Sequence, residues 1–224
     1  LLLRKRWLPQ KRLPRLQNVY QTQNAAISTI DQAEAGLRGS LGDAFTFSTV
    51  AFGSRFNELS INTSVLDETG TVRTLALVGK TQTLGLESEF TWRPSPYFSL
   101  LGSFTLQDPE TRSLSNATTG VAYSGLDGLQ IARIPKRIAS LTPTVYFDVA
   151  GKPVDLSLTA YHMGERFVDY TNATALPAYT NFDLNLFAKL GERLEFQFRV
   201  ANITNEVGLT EGNGRVDQLG GQGS

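Results

Sequence analysis

The chain has 224 residues, 21 basic and 21 acidic, one histidine and no cysteine. Balanced charge leaves no basic footprint for nucleic acid, and the absence of thiols excludes disulfides, thiolate metal sites and cysteine nucleophiles. No apolar run approaches the roughly 20 residues of a transmembrane helix, which leaves membrane-spanning strands open, because only every second residue of such a strand faces lipid.

Residues 1–27 are basic and carry Pro9 and Pro14, and the apolar stretch Leu1-Leu2-Leu3 is too short for a signal peptide. They read as a truncated or irregular start, or as a basic amphipathic arm. Two strands with mixed alternation are expected near Ser28–Ser40 and Ala44–Phe56, joined at 41–43. From Leu84 to Trp92 the pattern becomes clean. Leu84, Leu86, Ser88, Phe90 and Trp92 share one face, and Gly85, Glu87, Glu89 and Thr91 the other. After the turn Arg93-Pro94-Ser95-Pro96, Phe98, Leu100, Gly102, Phe104 and Leu106 oppose Ser99, Ser103, Thr105 and Gln107, with Leu101 an exception on the polar side.

The same alternation predicts strands over Ala139–Phe147, Val154–Tyr161, Asn181–Lys189 and Leu194–Ile203. Pro143 lies inside the first of these and removes a ladder donor, so a bulge or a missing hydrogen bond is expected there. Short links fall at 41–43, 93–96, 148–152 and 191–193, and long ones at about 57–80, 108–135 and 164–177. Residues 109–133 are expected to be the least ordered internal stretch, because they are polar and lack periodicity. Phe45, Phe47, Trp92, Tyr97, Phe98, Tyr146 and Phe147 gather near the short links, as an interfacial aromatic girdle would. Strands of this length, with short turns at one end and long loops at the other, point to an all-β, antiparallel transmembrane barrel. A soluble β-sandwich or lipocalin-like barrel alternates in the same way and is the competing reading.

Four segments sharpen the choice. Gly85-Leu86-Glu87-Ser88-Glu89-Phe90 with Trp92-Arg93-Pro94, Ile134-Pro135-Lys136, Leu176-Pro177-Ala178-Tyr179 before Asp183, and Val200-Ala201-Asn202-Ile203-Thr204-Asn205-Glu206 resemble, in order, recurrent motifs of TonB-dependent receptor barrels. The resemblance implies about eight strands (residues 28–204) of a barrel of about 22 strands in the bacterial outer membrane. Residues 205–224 would form an extracellular loop before a further strand, with an N-terminal plug domain and the final strand outside this sequence. Both ends of the strand series fall on the long-loop side, so at least one more strand is expected at each end. Residues 1–224 expressed alone are therefore expected to aggregate, or to insert without the heat-modifiable gel mobility of a closed barrel.

The implied activity is energised uptake of a ligand such as an iron–siderophore complex, with TonB, a small chelate ligand and outer-membrane lipid as partners and no cofactor or protein-bound metal. An independent eight-stranded outer-membrane barrel with a structural or adhesive role, or a soluble β ligand-binding protein, are the alternatives. Long-loop arginines and aromatics suit an anionic chelate, which selects Tyr123, Arg133, Arg166 and Tyr170. Glu87, Glu89, Asp183, Gln197 and Arg199 are expected to line the lumen. Enzymatic readings are thin. His162 is placed by parity on the lipid side, near a strand end, and Glu87 and Glu89, roughly 7 Å apart by strand rise, read as lumenal charges rather than a catalytic carboxylate pair.

Overall fold

The computed structural model describes residues 28–66 and 69–212. Eight antiparallel strands pair in chain order: β1 (Thr29–Leu41), β2 (Phe45–Leu66), β3 (Val72–Ser95), β4 (Phe98–Asn116), β5 (Arg137–Val149), β6 (Lys152–Met163), β9 (Tyr179–Lys189) and β10 (Glu195–Val200). A small ribbon of β7 (Arg166–Phe167) and β8 (Ala175–Leu176) forms between β6 and β9. The sheet is open, with β1 and β10 as its edges among the described residues. The expectation for residues 1–27 lies outside the described residues, as does that for 213–224.

Cross-strand register sorts the side chains, because directly opposed residues project to the same side. Phe47, Phe90 and Gly102 oppose one another in series, as do Ala51, Leu86 and Leu106. The series continues through Val145, Leu156, Leu186 and Phe198. This face is apolar and open: Leu84, Trp92, Leu141, Phe196 and Phe198 are all exposed. Soluble proteins do not leave an apolar sheet face of this extent uncovered. Its few polar groups satisfy each other. Thr49 and Ser88 share a hydroxyl hydrogen bond at 2.8 Å, and His162 Nδ1 lies 2.9 Å from Thr180 Oγ1. The opposite face carries Glu87, Glu89, Ser103, Thr142, Asp183 and Gln197.

At the short-turn end, Phe45 stacks with Phe47 and Phe90, and Trp92 meets Phe98 edge-on. Tyr146 instead lies on the polar face, where its hydroxyl is 2.8 Å from Ser99 Oγ and its ring is under Arg93. Pro143 pairs with Leu100 of β4, while the β5–β6 ladder skips from Leu141–Ala160 to Thr144–Ser157 without a register shift. The proline therefore interrupts one ladder and no bulge forms. Thr142 and Thr159 hold the gap with a 3.0 Å hydroxyl contact.

Two of the expected long loops are corrected. Residues 57–66 and 72–80 belong to β2 and β3, and 108–116 to β4, so these strands run well beyond a membrane-crossing length. Periodicity hid this because β2 and β4 each contain one extra residue. The register slips between Phe56 and Leu59, around Glu58 (φ +54°), and again opposite Val78–Lys80, around Ser113 (φ +49°). Such bulges reverse the side-chain parity of their own strand, while β3 passes between them without a break. Above the bulges Ile61, Leu77 and Leu114 turn towards the side that is polar below, and they are nearly fully buried there.

Gly79 lies between the bulges. A Cβ at this position would come within 2.6 Å of the Ser113 carbonyl oxygen and 2.9 Å of Leu114 Cα. Backbone cannot yield as a side-chain tip does, so Gly79→Ala is expected to displace the upper end of β4 and destabilise it by about 1–3 kcal/mol, the usual cost of overpacking. Increased protease cutting near residues 113–123, with the barrel still heat-modifiable on gels, is the measurement that checks it.

Candidate functional site

The apolar patch above the bulges is roofed by the connection that follows β4. Ser124–Leu126 makes one 3-10 turn, and Leu126 closes a cluster with Ile61, Leu77 and Leu114. Thr111, fully buried, donates its hydroxyl to the Leu126 carbonyl, and the Leu129 carbonyl lies 3.2 Å from the same oxygen. The expectation of a featureless stretch over 109–133 is thus corrected: its first part is strand and the rest is anchored on a core. Tyr123 and Tyr170 both pack against that core. Burial pushes the Tyr170 phenol above the usual tyrosine range, and the Arg133 charge partly offsets it. Tyr170 therefore stays neutral at physiological pH and keeps its O–H donor.

The loops after β4, β6 and β10 are tied together by specific bonds. Asn172 accepts the Gln130 N–H at 2.8 Å and donates its amide to the Gln130 carbonyl at 2.9 Å. The Arg133 N–H donates to the Phe167 carbonyl at 2.8 Å. Arg133 also pairs with Glu211 at 2.8 Å, both side chains being more than half exposed. Arg166 differs. It is only 5 % exposed, its Nη2 donates to the Leu209 carbonyl at 2.8 Å, and its guanidinium lies 5.8 Å from the Tyr179 ring centre. All four loop residues singled out from the sequence therefore belong to one assembly, with Arg133 open to solvent and Arg166 enclosed.

Sequence reasoning missed Gln130, Asn172, Leu126, Leu209 and Glu211. Only Asn172 carried a signal. It has φ +55°, a region asparagine tolerates better than most residues, and its short amide caps its own turn.

On the polar face, Glu87 opposes Val50 and Thr105, and Glu89 opposes Ser48 and Ser103. Asp183 pairs with Arg199 at 2.6 Å and accepts the Asn202 N–H at 2.9 Å, and Gln197 opposes Phe187. Asn202 sits at φ +52° and binds both the N–H and the carbonyl of Glu206, each at 2.9 Å. Two of the motifs read from sequence, one containing Asp183 and one Asn202, are therefore two sides of one hydrogen-bonded turn. Among the described residues, no three His, Asp or Glu side chains are grouped to hold a metal ion.

Comparison with known proteins agrees with this geometry. The family model described as "TonB dependent receptor-like, beta-barrel" matches residues 12–203. No curated protein matches the sequence. Among solved structures, BauA, the ferric preacinetobactin receptor from Acinetobacter baumannii, is 25 % identical with a TM-score of 0.58, over 79 % of this chain and 25 % of its own. FyuA, the ferric yersiniabactin uptake receptor from Yersinia pestis, is similar in fold at 17 % identity and TM-score 0.61, over 79 % and 25 %. So is the siderophore receptor PiuA from Acinetobacter baumannii, at 16 % identity and 0.61, over 81 % and 25 %. The chain spans about a quarter of the length of each. An apolar sheet face that none of the described residues covers, a polar reverse face and a family match along nearly the whole strand series have one common explanation: the chain belongs to the TonB-dependent receptor-like β-barrel family of the bacterial outer membrane.

Proposed function

We propose that this chain forms part of the ligand-gating wall of a receptor that imports an iron chelate across the outer membrane, powered by TonB through a plug domain. The observation that carries the reading is the joined loop assembly standing over the polar face. The connections after β4 and β6, each free to vary in an inert barrel, are held in fixed relation by the paired Gln130–Asn172 bonds and the backbone bond from Arg133 to Phe167, and the segment after β10 attaches to this pair through both arginines. Fixed loops present a preorganised surface, and preorganisation lowers the entropic cost of binding. The ferric-siderophore receptors similar in fold support the cargo class. Iron would remain inside its chelator, which needs no protein metal ligand. Glu87, Glu89, Asp183, Gln197 and Arg199 would face the lumen and its plug. Tyr123, Arg133, Arg166 and Tyr170 would contribute to ligand contact.

Replacing residues 117–130 of the complete receptor by a flexible Gly/Ser segment of equal length tests this reading. The replacement still spans from the top of β4 back to Ile131, which lies beside Pro109, so a folded, heat-modifiable barrel is expected, with uptake of its ferric chelate reduced at least tenfold. Full uptake by the altered receptor would remove the loop assembly from the transport path.

A further inference from the structure

Arg166 presents a physical anomaly. A guanidinium is always charged, and burying a charge without a counter-ion is costly. Yet no carboxylate among the described residues pairs with it, and its Nη1 is buried without any hydrogen-bond acceptor. Among the described residues its one oxygen partner is a neutral carbonyl, that of Leu209. The side-chain oxygen of Asn181, on the polar face one strand position pair below Tyr179, is also buried without a donor.

What covers Arg166 is the segment that follows β10. Residues 207–212 have no regular structure, and Val207 and Leu209 turn their side chains to solvent, 77 % and 51 % exposed. The segment rests on its neighbours mainly through glycines: Gly208 lies flat on the Tyr179 ring and Gly212 on Val168. Its two polar attachments both go to arginines. Leu209 offers a carbonyl to Arg166, and Glu211 offers a carboxylate to Arg133. The backbone bond from Arg133 to Phe167 keeps those two arginines on adjoining chain segments.

We infer that residues 207–212 are a built-in stand-in for the ligand, occupying Arg133 and Arg166 with their own oxygens until a chelate bearing at least two anionic oxygen groups displaces them. The inference rests on the uptake reading and names its substrate class. The exchange is favourable at both positions. An anionic group can engage Nη1 and Nη2 of Arg166 together, where the strap satisfies only Nη2, and charge-assisted bonds are about twice as strong as neutral ones. At Arg133 the displaced partner is an exposed ion pair, which is worth little. Unanchored apolar side chains on the strap add no penalty to its release.

The complete receptor, in detergent, is titrated with ferric citrate and a ferric tris-catecholate as anionic probes and with a neutral ferric trihydroxamate. Glu211→Gln removes the strap's competing carboxylate and should tighten anionic probes about two- to fivefold, the range expected from an exposed pair. Arg166→Met should weaken them at least tenfold, with Arg166→Lys intermediate, and leave the neutral probe unchanged. Val168→Cys with Gly212→Cys should lock the strap when oxidised and abolish anionic binding, with recovery on reduction. A built Gly212 Cβ lies 2.7 Å from Val168 Cγ2, close enough for such a bridge. Heat-modifiable gel mobility confirms that each variant is folded. Anionic binding that persists with the strap locked, or variants that shift charged and neutral probes alike, would overturn the strap while leaving uptake standing. A receptor that binds no ferric chelate of any charge would overturn both.

Discussion

Leu184→Arg in the complete barrel is expected to cost about 2–4 kcal/mol, the penalty for a cation near the bilayer midplane on a lipid-facing strand position. Leu184 lies at the centre of β9, opposed by Leu158 on one side and Val200 on the other. Its neighbours are aliphatic, so the guanidinium would find no partner without snorkelling to an interface. Ser157→Arg is the matched control. Ser157 opposes Asn185 on the polar face, with Asp155 two residues away on the same side. It should fold and resist heat as the unaltered protein does. Loss of heat-modifiable mobility for the first variant and retention for the second would confirm the assignment of faces. Equal tolerance of both would mean that the apolar face does not meet lipid.

Leu77→Ala should have the largest effect above the membrane. Leu77 is 1 % exposed and touches strands and loop roof alike through Ile61, Leu114 and Leu126. Truncating a leucine in such a cluster costs about 2–5 kcal/mol, because a cavity replaces the lost contacts. The membrane-embedded sheet does not depend on this cluster, so the loss should be local. Protease sites within residues 117–136 should open, and ligand binding should fall at least tenfold, while gel mobility of the barrel stays normal. Unchanged protection of that loop would show that Thr111 and the Gln130–Asn172 pair hold it without the core.

The two regions differ for the same reason that they were unequally legible in the sequence. Between Leu84 and Val200 the membrane imposes alternation, and the crossing parts of β3, β4, β5, β6, β9 and β10 are legible from period two, whereas the short β7–β8 ribbon and the upper end of β4 fall in stretches that read as loops. Above the membrane the rule breaks at Glu58 and Ser113. One extra residue in β2 and one in β4 reverse the parity of those two strands, so Ile61 and Leu114, with Leu77 of β3 between them, fall into stretches that read as loops. The candidate site was half legible. Tyr123, Arg133, Arg166 and Tyr170 were identifiable by residue type, and they do share one assembly. The bonds that assemble them were not, because Gln130, Asn172, Leu209 and Glu211 are ordinary loop residues whose meaning depends on partners far along the chain, 42 positions for Gln130 and Asn172, 43 for Leu209 with Arg166, and further still for Glu211 with Arg133.

β3 also has a mechanical consequence. It spans 24 residues, about 80 Å at the usual rise, against the 9–11 residues a membrane crossing needs. Its neighbours are jointed partway along, at Glu58 and Ser113, whereas β3 runs unbroken from Val72 to Trp92 and is jointed only at its lower end, where Arg93 and Pro94 oppose Ser99. A load applied to the cluster around Leu77 would thus run along β3 as along a strut as far as Trp92, meeting a joint only at Arg93 and Pro94 beside the short turn. The jointed strands on either side can flex around it, so bending of the loop assembly would be steered sideways, and a push along the strand axis would be carried through the bilayer.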